Sequence, residues 1–206
     1  MQKTLQQALV VILSTVFLAI AAQAQTLTPA DRDKAMQYLE STKQGVLDAT
    51  KGLSAAQWNF KAAPDKWSVA EVTEHIAAAE DFIRGMIVEK VMVAPARPAG
   101  EDVTAIDMMV MQNIPDRSHK AQAPEPLKPS NRVGSPDDSL KHFVEARATT
   151  EDFLTKTPNL RDHAVDSPLN KKLDGYEWIL FIAAHSERHT KQILEVKADP
   201  NFPKQQ

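Results

Sequence analysis

The stretch WSVAEVTEHIAAAEDFIRGMIVEKVMV, residues 67–93, carries the clearest structural signal in the chain. Ser68 and Glu71 stand three apart, the spacing of a capping box. Trp67 and Val72 flank them as a hydrophobic staple. From there Val72, Ile76, Ala79, Phe82, Ile83, Met86 and Ile87 recur at helical spacing, which predicts an amphipathic helix. One residue interrupts the apolar stripe: His75.

Three further helices are predicted around this one. Thr28-Pro29-Ala30-Asp31 places a capping hydroxyl before a proline at the first helical position. The helix it opens runs to about Thr50, with Ala35, Tyr38, Leu39, Thr42, Val46 and Ala49 on one side, and Gly52 ends it. Residues 135–157 open on Ser135, Pro136 and two acids, and carry Leu140, Phe143, Val144, Arg147 and Leu154 along one side. Residues 174–198 open on Asp174 and Glu177, and their stripe is Trp178, Phe181, Ile182, His185, His189, Ile193 and Val196.

Four helices of comparable length point to an all-α fold, a four-helix bundle. Connections of about 17 residues join the first pair and the last pair. The second and third helices are separated by a proline-rich crossover, 94–134, long enough to run the length of a bundle. That permits the two to lie parallel, as an up-down-down-up order requires. The crossover holds a short amphipathic piece, 104–114, whose Met108, Met109 and Met111 suit a flap over the bundle better than a copper site. It has too little apolar surface to be a second domain. No strand pattern and no internal repeat is visible.

Residues four apart on a helix share a face, so His185 and His189 can offer two nitrogens to one ion. Two ligands seldom hold a divalent cation tightly. His75 interrupts the stripe of the second helix and is the natural third if the two helices pack side by side. Three neutral imidazoles with open positions are the ligand set of a catalytic zinc site, and also suit nickel, iron or manganese. The competing reading is that these are hydrogen-bonded core histidines. Ser186-Glu187 after His185 rules out the HExxH arrangement and its glutamate base.

Other polar residues have simpler readings. Trp67 closes the bundle end, and Trp178 and Phe181 belong to the core. Arg188 and Lys191 are solvated, and His119, His142 and His163 lie on the surface. Glu71 is the capping partner, while Glu74 neighbours His75. Gln192 is close enough to the histidine pair for a hydrogen bond. Asp107 or Asp116 would bring a carboxylate to the metal if the flap closed.

The first two dozen residues stand apart. MQKTLQQALVVILSTVFLAIAAQAQ has one charge, Lys3, an apolar run from Ala8 to Ala22, and the small-x-small sequence Ala22-Gln23-Ala24. This is the pattern of a secretory signal peptide, residues 1–24, cleaved before Gln25. An uncleaved anchor is the alternative, but the run is short of the roughly 20 residues a span needs. The expectation is an exported chain, periplasmic or secreted, with no stable membrane span after cleavage and one domain over 25–206. A formal charge of −3 without a basic patch argues against nucleic acid as a partner. The chain has no cysteine, which removes disulfides, thiolate catalysis and cysteine-held zinc together.

The segments GLSAAQWNFKAAPDKWSVAEVTEHIAAAE (52–80) and AAHSERHTKQI (183–193) resemble the DinB/YfiT-like superfamily. The likeness lies in a Trp-Ser opening followed by a helix histidine, and later a His-x-x-x-His-x-x-Gln. It implies an up-down-down-up bundle with a divalent metal on His75, His185 and His189, zinc or nickel first and iron or manganese after. It also implies a homodimer and a metal-dependent enzyme of transferase or hydrolase type acting on a small molecule. A non-catalytic bundle that binds a metal or small ligand is the alternative. The leader and the long crossover depart from the family pattern. No general base is identifiable.

Overall fold

The computed structural model describes residues 26–98 and 100–204. The expected signal peptide, residues 1–24, lies outside the described residues. Four long helices form the bundle: α1 Pro29–Thr50, α3 Val69–Met86, α5 Pro136–Lys156 and α6 Gly175–Lys197. A single helical turn, α2 Ala55–Trp58, lies between α1 and α3, and α4 Val103–Asn113 lies in the crossover.

The starts are set by the expected chemistry. Thr28 Oγ1 accepts from Asp31 N, Ser68 Oγ from Glu71 N, and Asp174 from Glu177 N, each closed reciprocally into a capping box. Ser135 caps α5 ahead of Pro136. The second helix does not run unbroken to 93: after Met86 it widens into a π-helical turn, Ile87–Val91. Gly52, at φ +68°, follows the end of α1 in a left-handed conformation that favours glycine.

The topology follows from which residues meet. Tyr176 bonds the carbonyl of Asp31, Tyr38 bonds Glu187, and Lys197 bonds the carbonyl of Ala49, so α1 and α6 run parallel. Arg147 meets Glu80, and Phe143 packs with Val72 and Ile76, so α3 and α5 are also parallel. Ile83 clusters with Ile179 and Ile76 with Ile193, which sets α3 antiparallel to α6, and His75 meets His185 and His189 between them. The order is up-down-down-up, and the crossover makes the parallel α3–α5 pair possible.

The core has two apolar parts. One holds Leu39, Ile83, Ile87, Leu154, Tyr176 and Ile179. The other holds Val46, Trp58, Val72, Ile76, Phe143 and Ile193. Between them runs a polar layer. Arg147, wholly buried, donates to both carboxylate oxygens of Glu80 at 2.8 and 2.9 Å, to Thr42 at 3.0 Å and Ser186 at 2.8 Å, and to the carbonyl of Leu39. This single side chain joins all four long helices.

The sequence showed no strand, yet a two-stranded antiparallel hairpin, β1 Ala164–Asp166 and β2 Lys172–Asp174, precedes α6. Three-residue strands are too short for an alternating pattern to register. Asn170 turns the hairpin at φ 55°. The crossover packs on the bundle rather than standing off it. Asp107 of α4 receives Arg161 at 2.7 and 3.1 Å, and Arg161 also reaches Asp174. Met109 and Met111 pack against the core, whereas Met108 is exposed. Among the described residues no helix is long and apolar enough to cross a membrane.

Candidate metal centre

His75 sits in the second turn of α3, and His185 and His189 one turn apart on α6. Their Nε2 atoms form a near-equilateral triangle: 3.2 Å from His75 to His185, 3.1 Å from His75 to His189 and 3.1 Å from His185 to His189. These are the three residues that helix periodicity picked out, and the fold brings all of them together.

The outer nitrogens fix which atom faces inward. Nδ1 of His75 donates to the carbonyl of Leu127 at 2.8 Å, and Nδ1 of His189 donates to Gln192 Oε1 at 2.8 Å. Each of these Nε2 atoms therefore carries a lone pair, aimed at the other's. Burial first, and then the neighbouring imidazoles, hold the His185 pKa well below its usual value. Burial and His75 lower His189 to about 3, and burial lowers His75. Neutral rings at this separation repel unless something sits between them. A hydrogen on His185 Nε2 could satisfy at most one neighbour fully.

A cation resolves the conflict. Bonds of about 2.1 Å from three nitrogens to one ion span such separations at roughly 95–100°, between octahedral and tetrahedral values. The donor set therefore fits a divalent metal, held on one face with the opposite face uncommitted. The three histidines form the cluster of potential ligands within 4.8 Å of one another among the described residues.

Around the rings lie residues whose roles the sequence did not disclose. Trp67 does more than close the bundle end: its ring lies 4.9 Å from that of His75. Phe181 stacks on His185 at 6.3 Å and 17°. Gln192 makes the hydrogen bond that its position suggested. Leu127 could not have been found by motif, because a carbonyl leaves no mark on residue identity.

Several expectations need correction. Asp107 does not approach the histidines; it is buried against Arg161. Asp116 turns back on Ser118 N and Oγ, both at 2.8 Å. Arg188 is no free surface cation, since it donates to the carbonyls of Ile114, Asp116 and His119. Lys191, by contrast, is exposed as expected and pairs with Glu187 at the surface. His142 bonds Asp81 at 2.7 Å, and His163 bridges Ala96. Glu74, beside His75, grips the end of the crossover: Ser130 N, Asn131 N, Arg132 N and Arg132 Nε all donate to it. Burial would raise its pKa, but these donors outweigh burial and hold the carboxyl below its ordinary value.

An up-down-down-up bundle with three histidines converging from antiparallel helices defines a class: helical bundles carrying an internal site suited to a divalent cation. The chain belongs to the DinB superfamily, whose family model matches residues 23–193. It is 26% identical over 151 residues to the uncharacterized protein YuaE of Bacillus subtilis, covering 71% of this chain and 87% of that one. The solved structure of YfiT from Bacillus subtilis, described as a probable metal-dependent hydrolase with an unusual four-helix bundle topology, superposes with a TM-score of 0.56. That match is 15% identical and covers 87% of this chain and 93% of YfiT, so it speaks for the fold.

Proposed function

We propose that this chain is an exported metalloenzyme of the DinB superfamily. His75, His185 and His189 hold a divalent cation, zinc or nickel ahead of iron or manganese, and the chain acts on a small molecule in a hydrolase- or transferase-like reaction. The observation that carries the reading is the triangle of Nε2 atoms at 3.1–3.2 Å, with two of the outer nitrogens tied back. The description of YfiT as a probable metal-dependent hydrolase supports the choice of reaction class. When bound, such an ion supplies Lewis acidity and lowers the pKa of a coordinated water or thiol. The chain's own residues keep the three rings neutral, orient those of His75 and His189 through Leu127 and Gln192, and wall the site with Trp67 and Phe181.

Elemental analysis of protein purified without chelator or a nickel column tests the site. About one equivalent of metal is expected, and none in His185→Ala, in keeping with loss of one of three ligands. Unchanged metal in that variant removes the assignment. Export is read from residues 1–24 and is tested by the mature N-terminus: mass spectrometry of the extracytoplasmic fraction should find Gln25 first. Pairing into a homodimer is part of the same reading, checked by light scattering.

A second reading, metal binding without catalysis, is favoured by one observation. The carboxylates nearest in sequence or expectation are committed elsewhere: Glu74 to residues 130–132, Glu187 to Tyr38 and Lys191, Asp107 to Arg161 and Asp116 to Ser118. A general base would then have to come from the substrate or from water. Metal-stimulated turnover of model esters or thiol acceptors by wild type, absent in His185→Ala, distinguishes enzyme from binder.

A further inference from the structure

The His75 ring takes its orientation from a carbonyl 52 residues away in sequence, and that carbonyl belongs to an irregular segment. Such a segment holds an atom to within a few tenths of an ångström only if it is tied close by. The tie is visible. Leu127 is buried at the end of a 3-10 turn, Glu125–Leu127, and is followed by Lys128-Pro129. The chain then enters Ser130-Asn131-Arg132, with Asn131 at φ 58°.

Three successive backbone N–H groups there point at one carboxylate. Ser130 N lies 2.9 Å and Arg132 N 3.1 Å from Glu74 Oε1, and Asn131 N lies 2.9 Å from Oε2. Arg132 adds its Nε at 3.0 Å, and its remaining nitrogens donate to the carbonyls of Pro126 and Lys128, on either side of Leu127. The Glu74 side chain is only 8% exposed. It is the residue before His75 on α3, so the turn that presents the Leu127 carbonyl is anchored to the helix that carries the ligand.

We propose that Glu74 is a positioning residue of the metal centre. Through the Ser130–Arg132 turn it fixes the Leu127 carbonyl on His75 Nδ1, and so holds His75 in the tautomer that turns its Nε2 lone pair inward. The role rests on the metal-site reading given above, and it has a consequence of its own in the metal-free protein. A carboxylate that merely stabilised the loop would change melting temperature. One that sets the tautomer changes the ring's nitrogen chemistry and the rate at which metal leaves. Loss of an outer-shell partner of a metal-bound histidine costs metal affinity on the order of 10–100-fold.

The test uses full-length mature protein with 15N-labelled histidine. The imidazole nitrogen shifts of His75 are read without metal, and Co2+ is then loaded and its extraction by EDTA timed. Wild type should show His75 protonated at Nδ1. Glu74→Ala should show a mixture of tautomers and release Co2+ about tenfold or more faster. Glu71→Ala, which removes the cap of the same helix, should lower the melting temperature and leave both readings as in wild type. If Glu74→Ala does not fold, Arg132→Met serves in its place: it keeps the three backbone donors and should show a smaller shift in the same direction. A folded Glu74→Ala, or Arg132→Met in its stead, with the wild-type tautomer and release rate overturns the proposal. Wild type that takes up no Co2+ sinks the metal reading, and the tautomer comparison in metal-free protein still decides the role of Glu74.

Discussion

At the scale of single residues, the three clustered histidines were legible because each broke a rule. A histidine in an apolar stripe is an anomaly, and three of them at matching positions on two helices point to one place. The partners of those histidines were harder to read. Gln192 is three residues after His189 on the same helix, and was recoverable from spacing. Replacing it with Leu removes the acceptor for His189 Nδ1 with little change in volume. Metal retention should fall about 10–100-fold, measured by competition with a chromophoric chelator, while the melting temperature of the metal-free protein moves little. Arg147 was visible on its helix stripe but its meaning was not, since its partner Glu80 lies on another helix and outside the stripe that periodicity traced. Truncation leaves the Glu80 carboxylate buried without its counter-ion. Arg147→Ala should therefore lose about 3–5 kcal/mol of stability, read from urea denaturation. Glu80→Gln with Arg147→Met should recover much of that loss, because a buried pair costs desolvation as well as contributing attraction.

At the scale of elements, the four long helices were readable from their caps and periods, and the crossover was not. The piece at 104–114 reads as helical, but its acid does not reach the histidines, for an electrostatic reason. Asp107 has a nearer and better partner in Arg161, which is itself buried and needs two carboxylates. That ion pair docks α4 on the start of α6. The second half of the crossover is tied to α6 by Arg117, whose guanidinium meets both carboxylate oxygens of Glu195 at 2.6 Å, and to α3 by Glu74. The first half is held by one tie and the second half by two others, so the halves can open separately. Asp107→Ala should speed hydrogen exchange across 103–113 while the backbone of 125–132 stays protected. Mass spectrometry of peptic fragments checks this, and equal loosening of both regions would mean that the crossover moves as one piece.

At the scale of the whole molecule, the bundle carries two sets of buried titratable groups that oppose each other in pH. The histidine cluster titrates below its unfolded value. The unfolded chain then binds more protons than the folded one as pH falls through about 6.5, so stability conferred by neutral burial is present above that pH and lost below it. The other set lies at the start of α6. There burial, and then the charge of Asp174, push Glu177 up to about 8 against the opposing pull of Arg97, and burial raises Asp174 against Arg161 and Arg97. For a carboxyl raised in this way the folded state holds the extra proton. Its contribution is complete below the unfolded value near 4.3 and declines as pH rises through about 8. The metal-free protein should therefore be most stable in the weakly acidic to neutral range and lose stability on both sides, as read from urea midpoints between pH 4 and 9. The two limbs have different owners. His185→Leu should flatten the acid limb and leave the alkaline one, whereas Glu177→Gln should flatten the alkaline limb. Saturating metal should steepen the acid limb, because protons then compete with the ion for the same three nitrogens. An acid limb unchanged by metal would mean that the imidazoles are not what the ion binds.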